Sequence, residues 1–531
     1  MFAAADLIRE MDVQAIAVCL LHAYANPDHE RRVVAILRGQ FPDLAITCST
    51  DILPVVREFE RTLATVLNAG VMPGVTTYVA RMEARLKDAG VASPLLLMQS
   101  NGGVAGTAAI RAAPALTALS GPAAGVVGAQ AAAAECGITD LITVDIGGTS
   151  ADICLISDGK VGLTQNGTIG EWPLPLPMID MVTIGAGGGS IASVADGVLT
   201  VGPRSAGASP GPAAYGKGGV EATVTDAHLI LGHLPERLLG GAMALNIDAA
   251  VKAVQTRVAD PLGLTLHDAA RGILAIADNH MVGAVRIVSV ERGHDPRDFT
   301  LVPFGGAGPL HGCALADLLG ISQVMIPHAP GLLCADGLLA ANLRAEFSRT
   351  LPRAGVIDQQ AGDHILTDLV TQATQWLDVE GVVEDKRELR QMALLRFHGQ
   401  GGEIAVPWGE TPAITEQRFK DAHHSLYGFI LEAVVELITL RVEAAGLTEN
   451  TPPIGLSKGV KPAPYAHHPV HFSARSLDTP FVERAALGSD TVISGPMVLT
   501  QLDATLVVPP DWQGQVHSTG AIILTRKGHV K

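Results

Sequence analysis

The sequence predicts an α/β protein with a β-rich C-terminal part, and three observations lead to that prediction. Apolar strand-like runs alternate with amphipathic helical segments as far as about residue 345. Three of those runs end in glycine clusters. Beyond 345 the pattern turns to short alternating runs of β type. At 531 residues the chain is too long for one compact core, so two or three domains are expected.

The elements follow in order. VQAIAVCLL (13–21) is a continuous apolar run suited to a strand buried on both faces, and the segment after Asn26-Pro27 becomes amphipathic and helical. ITCST is a short strand, and EFERTLATVLNAGVMPGVTTYVARMEARLKDAG reads as helix, break, helix. Its first part, ERTLATVLNA, reads as a packing helix with a solvated face. LLLMQ is a strand ending in the turn SNGG, and SGPAAGVVGAQAAAAECG is a helix with Ser120 near its start and Gly137 as C-cap. LITVDI and DICLI are strands joined by GGTSA into a hairpin. Residues 158–225 read as short strands and loops, and helical periodicity returns over 247–293. FTLVPF is a strand that leads through GGAGP into the helix LHGCALADLLG. VIDQQAGDHILTDLVTQATQWLD is helical. LLRFHG, EIAVPW, VELITLRVEAAG, TVISGPMVLTQLDATLVVPP and AIILTR are strands. One boundary falls near 345, and a softer change near 450 begins a Pro-rich, linker-like stretch.

Composition narrows the function classes. A net charge of −16 argues against duplex nucleic acid or a membrane surface as partner, since either needs a basic face; it leaves a local nucleotide pocket open. The six cysteines are scattered without a C-x-x-C pair, as expected in a reducing cytosol. The start has early acids and no basic n-region, so no signal peptide is read, and no apolar run is long enough to span a membrane. The protein is expected to be cytoplasmic.

Three pattern matches are decoys. GPAAYGKG (211–218) has phosphate-loop spacing, but Gly218 replaces the metal-binding Ser or Thr and no strand and helix flank it. GASPG (207–211) lacks the strand-turn-helix setting of a nucleophile elbow. The sequon at Asn166 carries no meaning in a cytosolic protein.

The chemistry sits in VDIGGTSADICLI (144–156). Gly147 and Gly148 let backbone N–H groups approach a phosphate, and Thr149 adds a hydroxyl. Asp145 and Asp152 would repel a bare phosphate, but a divalent cation between carboxylate and phosphate makes the contact favourable. The local pattern supports two readings equally: a metal-nucleotide clamp, or a tight hairpin with Asp145 as turn former. IGAGGGSIA (184–192) and FGGAGPLHG (304–312) are two further places where backbone must come close to something.

TVDIGGTSAD (143–152), PMIDMVTIGAGGGSIA, VGPRSAGASPGPAAYGKGG, VTDAHLILG, SVERGHDPRDFTLVPFGGAGPLH, NPDHERR and EFERTLATVLNA together resemble the hydantoinase A/5-oxoprolinase family. That family includes ATP-dependent N-methylhydantoinases and the nucleotide-binding subunits of acetone-type carboxylases. The resemblance runs from about 10 to 525. It implies an ATPase core similar to actin, Hsp70 and sugar kinases, closing over ATP and Mg²⁺. It also implies activation of a cyclic amide or carbonyl substrate by phosphorylation, together with a hydantoinase B-type subunit. On this sequence it makes Asp145, Gly147, Gly148 and Thr149 the phosphate-binding hairpin, with Asp145 on the metal and Asp152 in support. Gly305, Gly306 and Gly308 would lie against the adenosine, and Gly187, Gly188 and Gly189 near the phosphates or the cleft. Asp180 is a candidate for metal or substrate, with a strand-end turn as the equal alternative.

Members of the family also carry a first D-x-G-G-T-F-T-D hairpin, and no second D-x-G-G-T occurs in these 531 residues. Residues 1–70 are therefore expected to be the remainder of an N-terminal α/β subdomain, with 71–345 the ATPase-like core and 346–531 the β-rich part. Asp226 with His228, and His294 with Asp295, are weaker candidates for metal or proton transfer, capping being the alternative. His311 reads as structural, and His423, His424, His467 and His468 as surface residues. The function expected is ATP-dependent hydrolysis of a hydantoin- or oxoproline-like ring. A carboxylase subunit is the alternative within enzymes, and a catalytically incomplete binding subunit the alternative outside them.

Overall fold

The computed structural model describes residues 2–165, 167–169, 172–448 and 463–528. The sequon at Asn166 and residues 449–462, which include most of the linker-like stretch, lie outside the described residues; the end of that stretch falls in the strand Ala466–His471, paired with Ser476–Glu483. The chain forms two compact units, each assembled from three separate stretches. The first comprises Met1–Ala123, Leu163–Ile179 and Ala341–Asn450; the second comprises Ala124–Gly162, Asp180–Ala340 and Thr451–Lys531. Residues 346–531, expected as one β-rich part, are thus shared between both units. Residues 1–70 join 71–123 in a single unit.

The first unit begins with a parallel strand pair, Ala15–Val18 and Ala45–Cys48, connected through the helix Asp28–Gln40. Only Val18 of the first strand is fully buried, against the expectation of burial on both faces, because a two-stranded pair has no further strands to enclose it. Glu30 on the helix is fully buried and accepts hydrogen bonds from the Leu20 and Thr50 amides and the Ser49 and Thr50 hydroxyls. Four donors satisfy a carboxylate that burial alone would make costly.

The next helix runs unbroken from Glu58 to Asp88 through Pro73, where a break was expected. Gly70 and Gly74 beside the proline leave its surroundings open, so the ring is accommodated. Its face is less solvated than the sequence suggests: Arg61, Thr65 and Asn68 are buried, and Arg61 donates to the Leu20 and Val55 carbonyls.

A six-stranded sheet completes this unit, in the order Ile404–Pro407, Arg387–Phe397, Val435–Gly446, Leu343–Gly355, Val104–Gly106, Leu96–Met98. His423, expected at the surface, is fully buried: Nδ1 contacts the Phe429 carbonyl at 2.8 Å, and its ring packs on Phe397 and Phe419. His424 and His467 are exposed and His468 is half-buried.

The second unit carries the elements that matter for chemistry. Helix α1 (Ser120–Glu135) straddles the division at Ala123. It ends as the sequence predicts, with Gly137 at φ +73° and the Ile138 and Gly137 amides returning to the Ala133 and Ala134 carbonyls. Strands β1 (Leu141–Ile146) and β2 (Ala151–Ser157) form the predicted hairpin, and β3 (Met181–Ile184) pairs with β2. Helices α2 (Val224–Ile230) and α3 (Leu266–Val288) follow. Then come β4 (Thr300–Phe304), α4 (Gly308–Leu319) and β5 (Gln323–Ile326). The chain closes the sheet with β6 (Val492–Ser494), β7 (Trp512–Val516) and β8 (Ile522–Arg526).

The sheet order is β3-β2-β1-β4-β5-β8-β7-β6, with Lys160–Val161 pairing beside β2. Only β1–β4 and β4–β5 are parallel among these pairs. Parallel strands are normally covered on both faces, and β4 is buried along its whole length. Among the described residues, two helices, Glu58–Asp88 and Leu266–Arg292, are long and apolar enough to cross a membrane by length and composition alone; the second is a core helix here, half of its apolar window being buried.

Candidate functional site

Asp145 is the penultimate residue of β1, at the carboxyl edge of the parallel pair, in register with Phe304 of β4 and Asp152 of β2. The carboxyl ends of parallel strands are where α/β sheets open crevices, because the chain there turns away toward the next helix. The register puts two carboxylates directly across a hairpin, an arrangement that destabilises the ligand-free strands. Burial, then the nearby Asp152, push the Asp145 carboxyl up to about 6. Burial likewise raises Asp152, while the Thr183 hydroxyl, donating at 2.5 Å, opposes the shift. The Cys334 thiol lies 3.6 Å from Asp145, and burial and the Asp145 charge push it up to about 12. No lysine or arginine pairs with either carboxylate among the described residues.

The glycine clusters hold the hairpin in place. Gly188 and Gly189 donate their amides to the Gly147 and Gly148 carbonyls, at 3.0 and 2.7 Å. The Thr225 amide and hydroxyl both donate to the Gly188 carbonyl at 2.8 Å, tying that loop to the start of α2. The Gly187 amide donates to the Ser190 hydroxyl, and Ser205 donates to the Gly148 carbonyl. A Cβ on Gly187 would stand 2.8 Å from the Thr149 nitrogen, so the first cluster is shaped by backbone contact with the hairpin. On the other side, the Ala307 amide donates to the Ile146 carbonyl and the Gly305 amide to the Pro330 carbonyl. Asp503 accepts from the Gly331 amide at 2.7 Å, and a Cβ on Gly306 would lie 3.9 Å from its carbonyl oxygen. Gly308 opens α4. Gly148, Thr149 and Gly306 remain exposed, and a Cβ on Gly148 would meet nothing within 4 Å.

Gly305 is at φ +79°, and a Cβ there would lie 2.3 Å from Asp145 Oδ1 and 2.6 Å from the Ile146 carbonyl. Gly305→Ala is expected to cost more than about 2 kcal/mol, combining left-handed strain with displacement of the carboxylate. Gly293→Ala, at φ +82° with open space around it, isolates the strain alone and should cost about half as much. Urea unfolding of both variants checks the difference; equal losses would mean that contact with Asp145 contributes nothing.

The structure brings together Asp145, Gly147, Gly148, Thr149, Asp152, Gly187, Gly188, Gly189, Gly305, Gly306 and Gly308. It does not bring Asp180 to them. Asp180 precedes β3, three residues before Thr183, which pairs with Asp152; that separation is about 10 Å along a strand. Its carboxylate forms a two-pronged ion pair with Arg292. Arg292 engages both of its oxygens, away from the Asp145–Asp152 pair.

The weaker pairs resolve as follows. Asp226 is buried and completes a capping box with Thr223, also accepting from the Ala214 amide. Asp295 caps a short turn and pairs with Arg297. The sequence left Thr183, Ser190, Thr225, Cys334 and Asp503 unmarked. Thr183 and Ser190 lie within PMIDMVTIGAGGGSIA and Thr225 within VTDAHLILG; Cys334 and Asp503 arrive from remote parts of the chain with no local signal.

Residues 61–347 match the hydantoinase/oxoprolinase profile, and residues 2–41 match the profile of the hydantoinase/oxoprolinase N-terminal region. The alpha subunit of caprolactamase from Pseudomonas jessenii is 36% identical over 99% of this chain and 78% of its own length. This chain belongs to the hydantoinase/oxoprolinase family. The crystal structure of that ATP-dependent caprolactamase superposes with a TM-score of 0.89 over 99% of this chain and 79% of its own. The nucleotide-free acetone carboxylase structure gives 0.78 at 25% identity over 99% of this chain and 78% of its own. The gamma subunit of acetophenone carboxylase from Aromatoleum aromaticum is 30% identical over 98% of this chain and 75% of its own. The hydantoinase/oxoprolinase chain spans 42% of Arabidopsis thaliana 5-oxoprolinase 1, at 29% identity.

Proposed function

We propose that the chain is the nucleotide-binding subunit of an ATP-dependent hydrolase of cyclic amides, with the β1–β2 hairpin as its phosphate and Mg²⁺ site. The observation that carries this reading is the Asp145–Asp152 pair across Gly147-Gly148-Thr149. Two facing carboxylates without a cationic partner fit a divalent cation whose remaining ligands come from phosphate and water. No cluster of three or more His, Cys, Asp or Glu side chains offers an all-protein metal site among the described residues, which suits a cation delivered with nucleotide.

Bound ATP with Mg²⁺ would supply the phosphoryl group that activates a ring carbonyl and the cation that neutralises the phosphates. The protein's own part is positional. Asp145 would hold the cation, with Asp152 and Thr183 fixing its orientation. The exposed Gly148 and Thr149 would offer backbone N–H groups and a hydroxyl to phosphate oxygens, and the Gly305–Gly308 turn would flank the nucleoside. A hydantoinase B-type chain is the proposed partner, in keeping with the caprolactamase relative being a subunit.

Similarity to the acetophenone and acetone carboxylase subunits favours a second reading, ATP-dependent carboxylation of a ketone. One assay separates them, run on the chain with and without its partner. The hydrolase reading expects ADP to form only with a lactam such as 5-oxoproline, caprolactam or a hydantoin, matched by ring-opened product. ADP formation that requires a ketone and bicarbonate instead would replace that reading with the second. No ADP formation in any mixture would point to an incomplete binding subunit.

A further inference from the structure

Below the glycine loops, three imidazoles and one carboxylate form a buried file. Asp278 Oδ1 on α3 lies 2.6 Å from His311 Nδ1 on α4. His311 Nε2 lies 3.2 Å from His228 Nε2 on α2, and His228 Nδ1 lies 2.9 Å from His233 Nδ1. The file ends where His233 Nε2 meets the His471 backbone carbonyl at 3.1 Å. None of the four side chains belongs to a residue more than 9% exposed. At the His471 end the neighbours are the stacked rings of His267 and His471 and the Arg271–Asp268 pair, with Phe472 beside His233. Asp226, on the same helix as His228, is already engaged with Thr223 and Ala214.

The carbonyl at one end sets the direction of every bond. A backbone carbonyl only accepts, so His233 carries its proton on Nε2. A neutral His233 then accepts at Nδ1, so His228 is protonated there. His228 in turn accepts at Nε2, which requires His311 to donate from its own Nε2. Four hydrogen bonds need four protons and three neutral imidazoles carry three. The fourth lies between His311 Nδ1 and Asp278. Burial, reinforced by the neighbouring imidazoles, keeps His228 well below the ordinary value, and burial brings His233 down to about 4, so both rings are neutral at pH 7.

His311 stands one turn after Gly308, directly behind the Gly305–Gly308 cluster, and His228 follows Thr225, which holds the Gly188 carbonyl. The file therefore joins the two helices that open beneath two of the glycine loops. We propose that Asp278, His311, His228 and His233 are positioning residues that share a single proton in the Asp278–His311 bond and clamp α2 to α4, holding both glycine loops in the nucleotide-binding arrangement. The binding arm of the test rests on the nucleotide reading above; the proton count does not.

The test uses the full chain labelled with ¹⁵N-histidine, the rings being assigned with His→Gln variants. Ligand-free protein is expected to show His233 as the Nε2–H form and His228 as the Nδ1–H form, with shifts constant between about pH 5.5 and 8. His228 as the Nε2–H form, or either ring titrating near the ordinary 6.5, would overturn the assignment. Asp278→Asn can still donate an amide N–H to His311 Nδ1, so it should keep both forms and hold the MgATP Kd within about twofold. Asp278→Leu leaves His311 Nδ1 without a partner at the far end of the file, so the clamp should weaken and the Kd should rise about tenfold, while the His228 form, set by the His471 carbonyl, persists. An MgATP Kd for Asp278→Asn as weak as that of Asp278→Leu, or a Kd for Asp278→Leu equal to the parent's, would contradict the proposal. If Asp278→Leu does not fold, His233→Gln decides: its amide can donate to the His471 carbonyl and accept from His228, so the Nδ1–H form of His228 must persist. A parent protein that binds no MgATP would sink the nucleotide reading while leaving the ring spectra to decide the file.

Discussion

Asp145→Asn is expected to abolish ATP-dependent turnover, by about 1,000-fold or more, while making the ligand-free protein more stable at neutral pH. The two effects share one cause. The Asp145 carboxyl sits at about 6 because burial and the Asp152 charge disfavour ionisation, with no cationic side chain among the described residues in contact to relieve it. A carboxyl whose folded value lies above its unfolded value of 3.8 weakens folding as pH rises between the two, and the penalty is constant above the higher one. Asparagine keeps the shape and removes the charge. The gain should be on the order of 1 kcal/mol above pH 6, after allowing for solvent screening, and should vanish below about pH 4. Thermal melts of both proteins at pH 4 and pH 7.5 measure it. A variant less stable than the parent at pH 7.5 would mean that an unseen partner already neutralises Asp145.

Trp512→Ala is expected to cost about 3–5 kcal/mol, lowering the melting temperature by at least about 6 °C. Trp512 begins β7, is fully buried, and packs in the same core as Leu315, Leu319, Ile493 and Leu524, its indole N–H reaching Asp317 at 3.4 Å. That core also contains Val144 and Ile146 of the hairpin strand and Leu301 of β4. The β-rich C-terminal strands therefore contribute to the scaffold that carries the site. Trp512→Phe, which keeps most of the apolar volume, should recover more than half of the loss. Calorimetry on both variants tests this, and a loss below about 1 kcal/mol for the alanine variant would show that the C-terminal strands are not integral to that core.

Much of this architecture was legible because the local signals were strong. LITVDI-GGTSA-DICLI reads as a hairpin and Gly137 as the C-cap of α1, and both are found. The helix break at Pro73 was misjudged because a proline flanked by two glycines in open surroundings costs less than its sequence signature implies. ERTLATVLNA reads as a packing helix with a solvated face and His423 as a surface residue, yet Arg61, Asn68 and His423 are buried with backbone partners that only the tertiary structure supplies. Asp180 shows the limit of motif reading. It sits in the same glycine-rich string as Gly187–Gly189, but strand register carries it to the far end of β3 and into the hands of Arg292. The histidine file was visible only as isolated letters, because residues 228, 233, 278, 311 and 471 share no spacing and meet only through packing.

The central claim is that the β1–β2 hairpin binds nucleotide through a cation on Asp145. Titration calorimetry of MgATP into the parent chain and Asp145→Asn tests it most directly, with the melts above certifying that both are folded. The expected result is saturable 1:1 binding by the parent that requires Mg²⁺ and weakens by at least about 100-fold in the variant, a loss of about 2.8 kcal/mol. Equal affinities in the two proteins, or parent binding that persists with excess chelator, would place the nucleotide elsewhere and contradict the account.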